Sequence, residues 1–293
     1  MSTAEVARRA RWDDPVGLVD ASAKARFEQD GVVLLRGALH PEWLLLIEMG
    51  LGRVLADGAV TKHEFFAGTE GAFRETVRNF DVAPEIRRLM FDSPIADILG
   101  AFMGSEQVFY YSDEFFIKDR GGSKRTPWHQ DTPYFPVAGS QLASIWIALD
   151  RLTREECLEF IPGSHRQTLY DGFDPGHPGD TDKGFYGEGL PQRPDIEADR
   201  SAWNIVGWDI EPGDVIVSSP SILHGGGPTR VEGRRRALAI RCFGDDVVFA
   251  ERPASRPTVP LTPGLGLHLK PGEPLRSPWY PRLRPVPPWQ QHG

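Results

Sequence analysis

Apolar and polar positions along the chain fall into three textures. In the first, Ser22 is placed to cap a short helix over residues 22–29 that Gly31 stops, and the apolar run Val32–Leu35 suits a buried strand. Pro41 opens a second helix at its tolerated first position, with Leu44, Ile47, Leu51, Val54 and Leu55 at helical spacing and Gly58 at its end. Pro84 and Pro94 each start a further helical stretch, so residues 1–104 read as mostly helical behind a loosely held start. The second texture begins after Gly104, with strands over residues 107–118, 142–149, 158–161, 214–218 and 235–243, separated by Gly/Pro turns. Such strands predict a sandwich or barrel over residues 105–250. Residues 163–202 are rich in Gly, Pro and Asp and lack a period, which predicts a long loop that serves as a lid. In the third texture, residues 251–293 hold 11 of the 26 prolines. They exclude a helix or a central strand and predict an extended wrap that hides Leu265, Leu267, Trp279, Tyr280 and Trp289.

Composition narrows the function classes. At 293 residues, with 40% apolar and 25% charged positions, the chain has the make-up of one globular domain with a sizeable core. The net charge of −8 offers no broad positive face for nucleic acid; the one basic tract is Arg234-Arg235-Arg236. Two cysteines, Cys157 and Cys242, make neither a disulfide framework nor a zinc ribbon and read as buried, reduced thiols. No apolar run is long enough to span a bilayer and the first residues are polar, so the expectation is a cytoplasmic protein without membrane contact.

The chemistry concentrates in Trp128-His129-Gln130-Asp131. In extended backbone, residues two apart point the same way, so His129 and Asp131 can grip one ion while Gln130 faces away. A third ligand is His224, at the end of the strand after Asp214 and just before Gly225-Gly226-Gly227. Two imidazoles and one carboxylate on one face leave three coordination positions open, the facial arrangement of non-haem iron(II) oxygenases. Those positions suit a chelating keto acid and O2. The keto acid's far carboxylate then needs a cation able to bind it with two parallel bonds, for which arginine is best suited. Arg235 starts the strand that returns from the glycine turn, and Arg235, Ala237, Ala239 and Arg241 share one face by parity. Arg235 is the expected anchor and Arg241 the second choice.

In order along residues 25–245, the segments Phe27-Glu28-Gln29-Asp30-Gly31, Trp128-His129-Gln130-Asp131, Trp146-Ile147-Ala148-Leu149-Asp150, Leu158-Glu159-Phe160-Ile161-Pro162-Gly163-Ser164-His165, Glu211-Pro212-Gly213-Asp214, His224-Gly225 and Gly233-Arg234-Arg235-Arg236-Ala237 resemble the phytanoyl-CoA dioxygenase family of iron(II)/2-oxoglutarate oxygenases. The resemblance implies a mainly β fold with helical decoration and a double-stranded β-helix (jelly-roll, cupin-like) core. It also implies iron on His129, Asp131 and His224, 2-oxoglutarate on Arg235, and oxidation of a small-molecule C–H bond with release of succinate and CO2. Some members carry a serine two residues after the second histidine, where it helps hold the keto acid; Gly226 stands there here. Lys118 and Tyr111 are the guesses for a replacement. An intact Asp131 favours hydroxylation over halogenation, which needs room for halide at that ligand.

Other polar residues carry plainer readings. His165 is expected to bond a loop, His63 and His177 to lie at the surface, and Trp128 and Trp146 to pack. Phe65, Phe66, Arg74, Asn79 and Lys118 precede the barrel and are candidates for substrate contact. The rival to an enzyme is a β-helix that binds metal or ligand without turnover, and succinate formation separates the two. The identity of the substrate and the oligomeric state are not legible in the sequence.

Overall fold

A computed structural model describes residues 12–57, 62–69, 71–118, 122–180, 183–230, 232–253 and 265–286. Residues 1–11, Gly58, Trp289 and the side chain of Leu267 lie outside the described set.

The first helix, α1 (Ala21–Asp30), is capped by Asp20, whose carboxylate accepts from the Ala23 amide at 2.7 Å. Ser22, expected as the cap, instead lies inside the first turn and its hydroxyl accepts from Arg26 at 2.8 Å. Gly31 ends α1 at φ 77°, which glycine adopts without strain; a Cβ there would also run into the His165 ring. Strand β1 (Val32–Leu35) follows, then α2 (Pro41–Ala56) with Pro41 in its first turn and Ile47, Leu51 and Val54 buried. Two short strands, β2 (Lys62–Phe65) and β3 (Phe73–Val77), pair as a hairpin before α3 (Pro84–Asp92) and α4 (Ile95–Met103). The reading of residues 1–104 as mostly helical missed this hairpin. Its segments are short and charged, and what makes them strands is the edge of β4 (Val108–Lys118), on which β3 docks antiparallel.

The remaining strands are β5 (Thr126–His129), β6 (Val137–Ala138), β7 (Leu142–Ala148), β8 (Leu158–Phe160), β9 (Val215–Ser218), β10 (His224–Gly226), β11 (Arg235–Phe243), β12 (Val248–Phe249) and β13 (Arg282–Arg284). A large antiparallel sheet runs β1-β9-β7-β11-β4-β3-β2, with β13 also on β4. A smaller sheet, β5-β10-β8, makes the other layer of the jelly roll, and β12 pairs β6. Parity sorts the large sheet. Ile145, Ile147, Val215, Val217, Leu238 and Ile240 pack outward in one cluster with Ile47, Ile86, Leu89 and Ile98 of the helices. Trp146, Ala148, Ile216, Ala237 and Ala239 face inward with Phe160 of the smaller sheet. The helices thus cover one face and free the other to line a cavity.

In β4 the register slips between Arg241, opposite Ser112, and Cys242, opposite Tyr110. Tyr111 is the bulged residue, and the bulge reverses the parity of everything after it. Glu114 and Phe116 therefore face inward, whereas Tyr110, Phe115 and Ile117 belong to the helix-covered cluster.

The described part of the C-terminal segment, residues 265–286, packs on the aromatic cluster around Tyr111 and pairs with β4 through β13. Leu265 and Tyr280 are buried, and Pro281 accepts from the Tyr110 amide at 3.0 Å. One correction is needed: Leu265–His268 forms a single helical turn, α5, which the proline count argued against. That turn lies between the prolines and contains none.

Candidate metal centre and cosubstrate pocket

His129 ends β5 and His224 begins β10, directly opposite it in the ladder. Asp131 follows in a tight turn, whose amides at Asp131 and Thr132 donate to Pro220 O at 2.7 and 3.1 Å. Gln130 points away, as alternation requires, and binds Thr168 O, Ser221 O and the Tyr170 amide, tying the long loop to the site. Each histidine fixes its tautomer in the same way. Nδ1–H of His129 donates to Pro127 O at 2.8 Å and that of His224 to Ile222 O at 3.0 Å, which turns both Nε2 lone pairs inward. These Nε2 atoms lie 3.4 and 3.9 Å from Asp131 Oδ1, and one ligand atom from each residue falls within 4.8 Å of the others. The three candidate ligands thus meet at one point.

The charges around this point are ordered. Burial works against ionisation of Asp131, but Arg241 and the two histidines hold its carboxyl well below the usual carboxylate range. Burial, with the neighbouring His129, pushes His224 down to about 4, so its imidazole is neutral and ready to ligate. Arg241 donates through Nε to Asp131 Oδ2 at 2.8 Å, and its Nη1 lies 2.7 Å from Glu114 Oε2. Arg241 is therefore engaged by two carboxylates. It positions Asp131, leaving Oδ1 for an ion, and is not a free anchor for a keto acid.

Arg235 has the opposite character. It is buried, and its Nη1 donates to Glu156 O at 2.6 Å and Gly227 O at 3.3 Å, while Nε has no hydrogen-bond partner among the described residues. Burial pulls the guanidinium down to about 10, which leaves it charged at neutral pH. A Cβ on Gly226 would sit 2.9 Å from both Arg235 Nη2 and Thr126 Oγ1, so the glycine keeps open the space between them. A buried, unpaired guanidinium edge beside that space fits a ligand carboxylate, and the donor set at the triad fits a divalent ion. Thr126, opposite Gly226 in the ladder, places a hydroxyl beside the position where the family resemblance led a serine to be expected. Sequence reading missed it; the i, i+3 distance from His129 along β5 was the only available signal.

The two guessed partners lie elsewhere. Lys118 is opposite Arg235, but its Nζ donates to Lys124 O and Gly227 O at 2.7 and 3.1 Å. Burial, and then the charges of Arg235 and Arg125, push its pKa well below the usual lysine value. Tyr111 stacks on Tyr280 and contacts Phe135 and Phe243 in a separate aromatic cluster, where the bulge sends it.

A cavity of about 730 Å³ joins these parts. Its walls include the triad, Arg235, Thr126, Trp146 and Ala239. The 163–202 loop contributes Phe173, whose ring stands edge-on to His129 at 5.1 Å and whose carbonyl accepts from Tyr134 Oη at 3.0 Å. The β2–β3 hairpin contributes Phe65, as expected, and also His63, Glu64 and Glu75. His63 is solvent-exposed yet lines the mouth, and His177 pairs with Asp174. Asn79 instead binds Asp113, Phe66 packs on Phe73, Trp128 packs on Ile161 and Ile196, and Arg74 is not among the cavity's lining residues. His165 accepts its structural role, bonding Glu28 O at 3.2 Å. Of the arginine triplet, Arg234 and Arg236 pair with Asp150 and only Arg235 turns inward.

Among solved structures, the fold is similar to the epimerase SnoN from nogalamycin biosynthesis, in a complex with Fe3+, alpha ketoglutarate and nogalamycin RO. The TM-score is 0.69 at 21% identity, over 92% of this chain and all of that one. A probable phytanoyl-CoA dioxygenase of Caenorhabditis elegans is 32% identical over 66% of this chain and 61% of its own length. The peroxisomal phytanoyl-CoA dioxygenase of Homo sapiens is 27% identical over 68% of this chain and 57% of its own. The chain thus spans about three fifths of the length of these curated relatives. The family profile described as Phytanoyl-CoA dioxygenase (PhyH) matches residues 27–237, which contain the triad and Arg235, and the chain belongs to that family.

Proposed function

We propose that this protein is an Fe(II)- and 2-oxoglutarate-dependent dioxygenase that hydroxylates a C–H bond of a small molecule, releasing succinate and CO2. The observation that carries the reading is the convergence of two imidazole Nε2 atoms and one carboxylate oxygen in the cavity that also holds the unpaired edge of Arg235. Bound there, the metal would bring O2 and the keto acid together and supply the oxidant. His129, Asp131 and His224 would hold it, and Arg241 would keep Asp131 turned so that one oxygen faces it. Arg235, with Thr126 beside it, would take the far carboxylate of 2-oxoglutarate. The aromatic walls and the 163–202 loop would exclude water from the reacting carbon. Cys157 and Cys242, both buried with thiols pushed up to about 12 by burial, take no part and fit a reducing compartment such as the cytoplasm. Among the described residues no helix is long and apolar enough to cross a membrane.

The test is succinate formation from 2-oxoglutarate under air with added Fe(II). Arg235→Ala is expected to raise the KM for 2-oxoglutarate by about 30-fold or more, as loss of a charge-assisted pair of bonds requires, with iron binding retained. No succinate from the wild-type protein with intact iron binding, across a panel of candidate substrates, would favour a binding protein without turnover.

A further inference from the structure

Glu75 has no role in the chemistry above, yet it is a costly residue to keep. It lies on β3, is 8% exposed, lines the cavity, and its carboxyl has no hydrogen-bond or ion-pair partner among the described residues. Burying a carboxylate without a partner is strongly unfavourable, so such a group points to a ligand that completes it. The one cation that acts on it, Arg241, is ion-paired elsewhere. Glu114, diagonal to it on the inner face of β4, already shares Arg241 with Asp131. His63, cross-strand from Glu75 at the mouth of the cavity, is pushed toward its neutral form by the partial desolvation of its ring. Asp174 on the loop is taken by Lys183 and His177. When the site holds a divalent ion and a dianionic keto acid, their charges and those of Asp131, Arg241, Glu114 and Arg235 cancel. Glu75 is then the one buried carboxyl of the wall left over, with the exposed Glu64 at the mouth adding to the same sign.

The surroundings describe what would complete it. Phe116 stands opposite Glu75 on β4, and Phe65 and Phe173 line the same space. Aromatic faces attract a cation as well as apolar surface, and no unpaired cation among the cavity's lining residues, other than Arg235, could receive an anion.

We propose that the cavity selects an amine-bearing, otherwise apolar substrate, its ammonium group bonded to Glu75 and its apolar body running along the phenylalanine wall toward the triad. Glu75 is then a specificity-determining residue, and acyl groups joined to phosphate-rich carriers are poor substrates. The inference rests on the dioxygenase reading for the position of the reacting carbon, but not for the binding preference itself.

The test is calorimetric titration of the full chain, both metal-free and loaded with Fe(II) and 2-oxoglutarate under nitrogen. The probes are 3-phenylpropylamine, 3-phenylpropan-1-ol and 3-phenylpropanoate, which share a body and differ in charge. The amine is expected to bind at least tenfold tighter than either of the others in both states. Glu75→Gln is expected to abolish the preference while leaving the alcohol within about threefold, and Glu75→Asp to restore part of it. Equal or tighter binding of alcohol or carboxylate, no binding of the amine, or a preference that survives Glu75→Gln would each overturn the proposal. Because the metal-free titration needs no turnover, its outcome is separate from the succinate assay.

Discussion

Arg235 and Arg241 are both buried on the cavity face of β11, yet their partners assign them opposite tasks. Arg241 is ion-paired with both Asp131 and Glu114, whereas Arg235 donates to carbonyl oxygens and its Nε has no hydrogen-bond partner among the described residues. Glu75 shows the same principle with a cost attached. Burial, and then the charges of Glu114 and Asp131, hold its carboxyl well above the usual range, although Arg241 opposes them. A raised folded-state pKa means that its contribution to stability is fully present below the unfolded value and lost as pH rises through the folded one. Replacing it should therefore stabilise the protein most at higher pH. In metal-free protein, Glu75→Gln is expected to raise Tm by more at pH 7.5 than at pH 4.5, with the gain growing by at most about 1.4 kcal/mol per pH unit. A gain that is flat across that range, measured by calorimetry in chelator, would mean that Glu75 is paired in solution.

At the level of elements, the β2–β3 hairpin is the piece that brings substrate-facing residues to the cavity, and its anchor is Asp113. That carboxylate is fully buried and accepts from the Asn79 and Phe80 amides at 3.1 and 2.9 Å, from Asn79 Nδ2 at 2.8 Å and from Tyr110 Oη at 2.6 Å. Asn79 in turn bonds Thr76, so the end of β3 is held to β4 by a fully satisfied network. Asp113→Ala would strand four donors away from water. A loss of about 2–4 kcal/mol is expected in denaturant unfolding, with amine affinity falling further than iron affinity because the hairpin, and not β5 or β10, is released. The hairpin was invisible to periodicity since four- and five-residue charged strands carry little propensity of their own. By contrast α2, β1, β7 and β11 were legible, because in them a long apolar stripe or an unbroken apolar run agrees with the packing.

Across the whole molecule, the triad joins β5 and β10, and 2-oxoglutarate would add a contact from β11 of the large sheet. An ion at that seam ties together segments that are 95 residues apart (129 to 224). Mn(II) at about 100 times its dissociation constant is expected to stabilise the fold by about 2.7 kcal/mol, a rise in Tm of about 5 °C that chelator reverses. His224→Ala should abolish the shift while leaving the metal-free Tm close to wild type. A Tm shift that persists in that variant would place the ion elsewhere.

Local chemistry along the chain was enough to nominate three candidate ligands and a candidate anchor and to draw the outer β framework: alternation points His129 and Asp131 one way, and a glycine turn returns the chain from His224 to Arg235. What it could not resolve were choices made between strands. Whether Tyr111 or Glu114 faces the cavity depends on a one-residue slip against β11, which reverses the side of every residue after it. Whether Arg241 is free depends on carboxylates 110 and 127 positions away. Pairing of distant segments, not the residues themselves, sets those outcomes, since charge and hydrogen-bond partners are properties of the assembled interior.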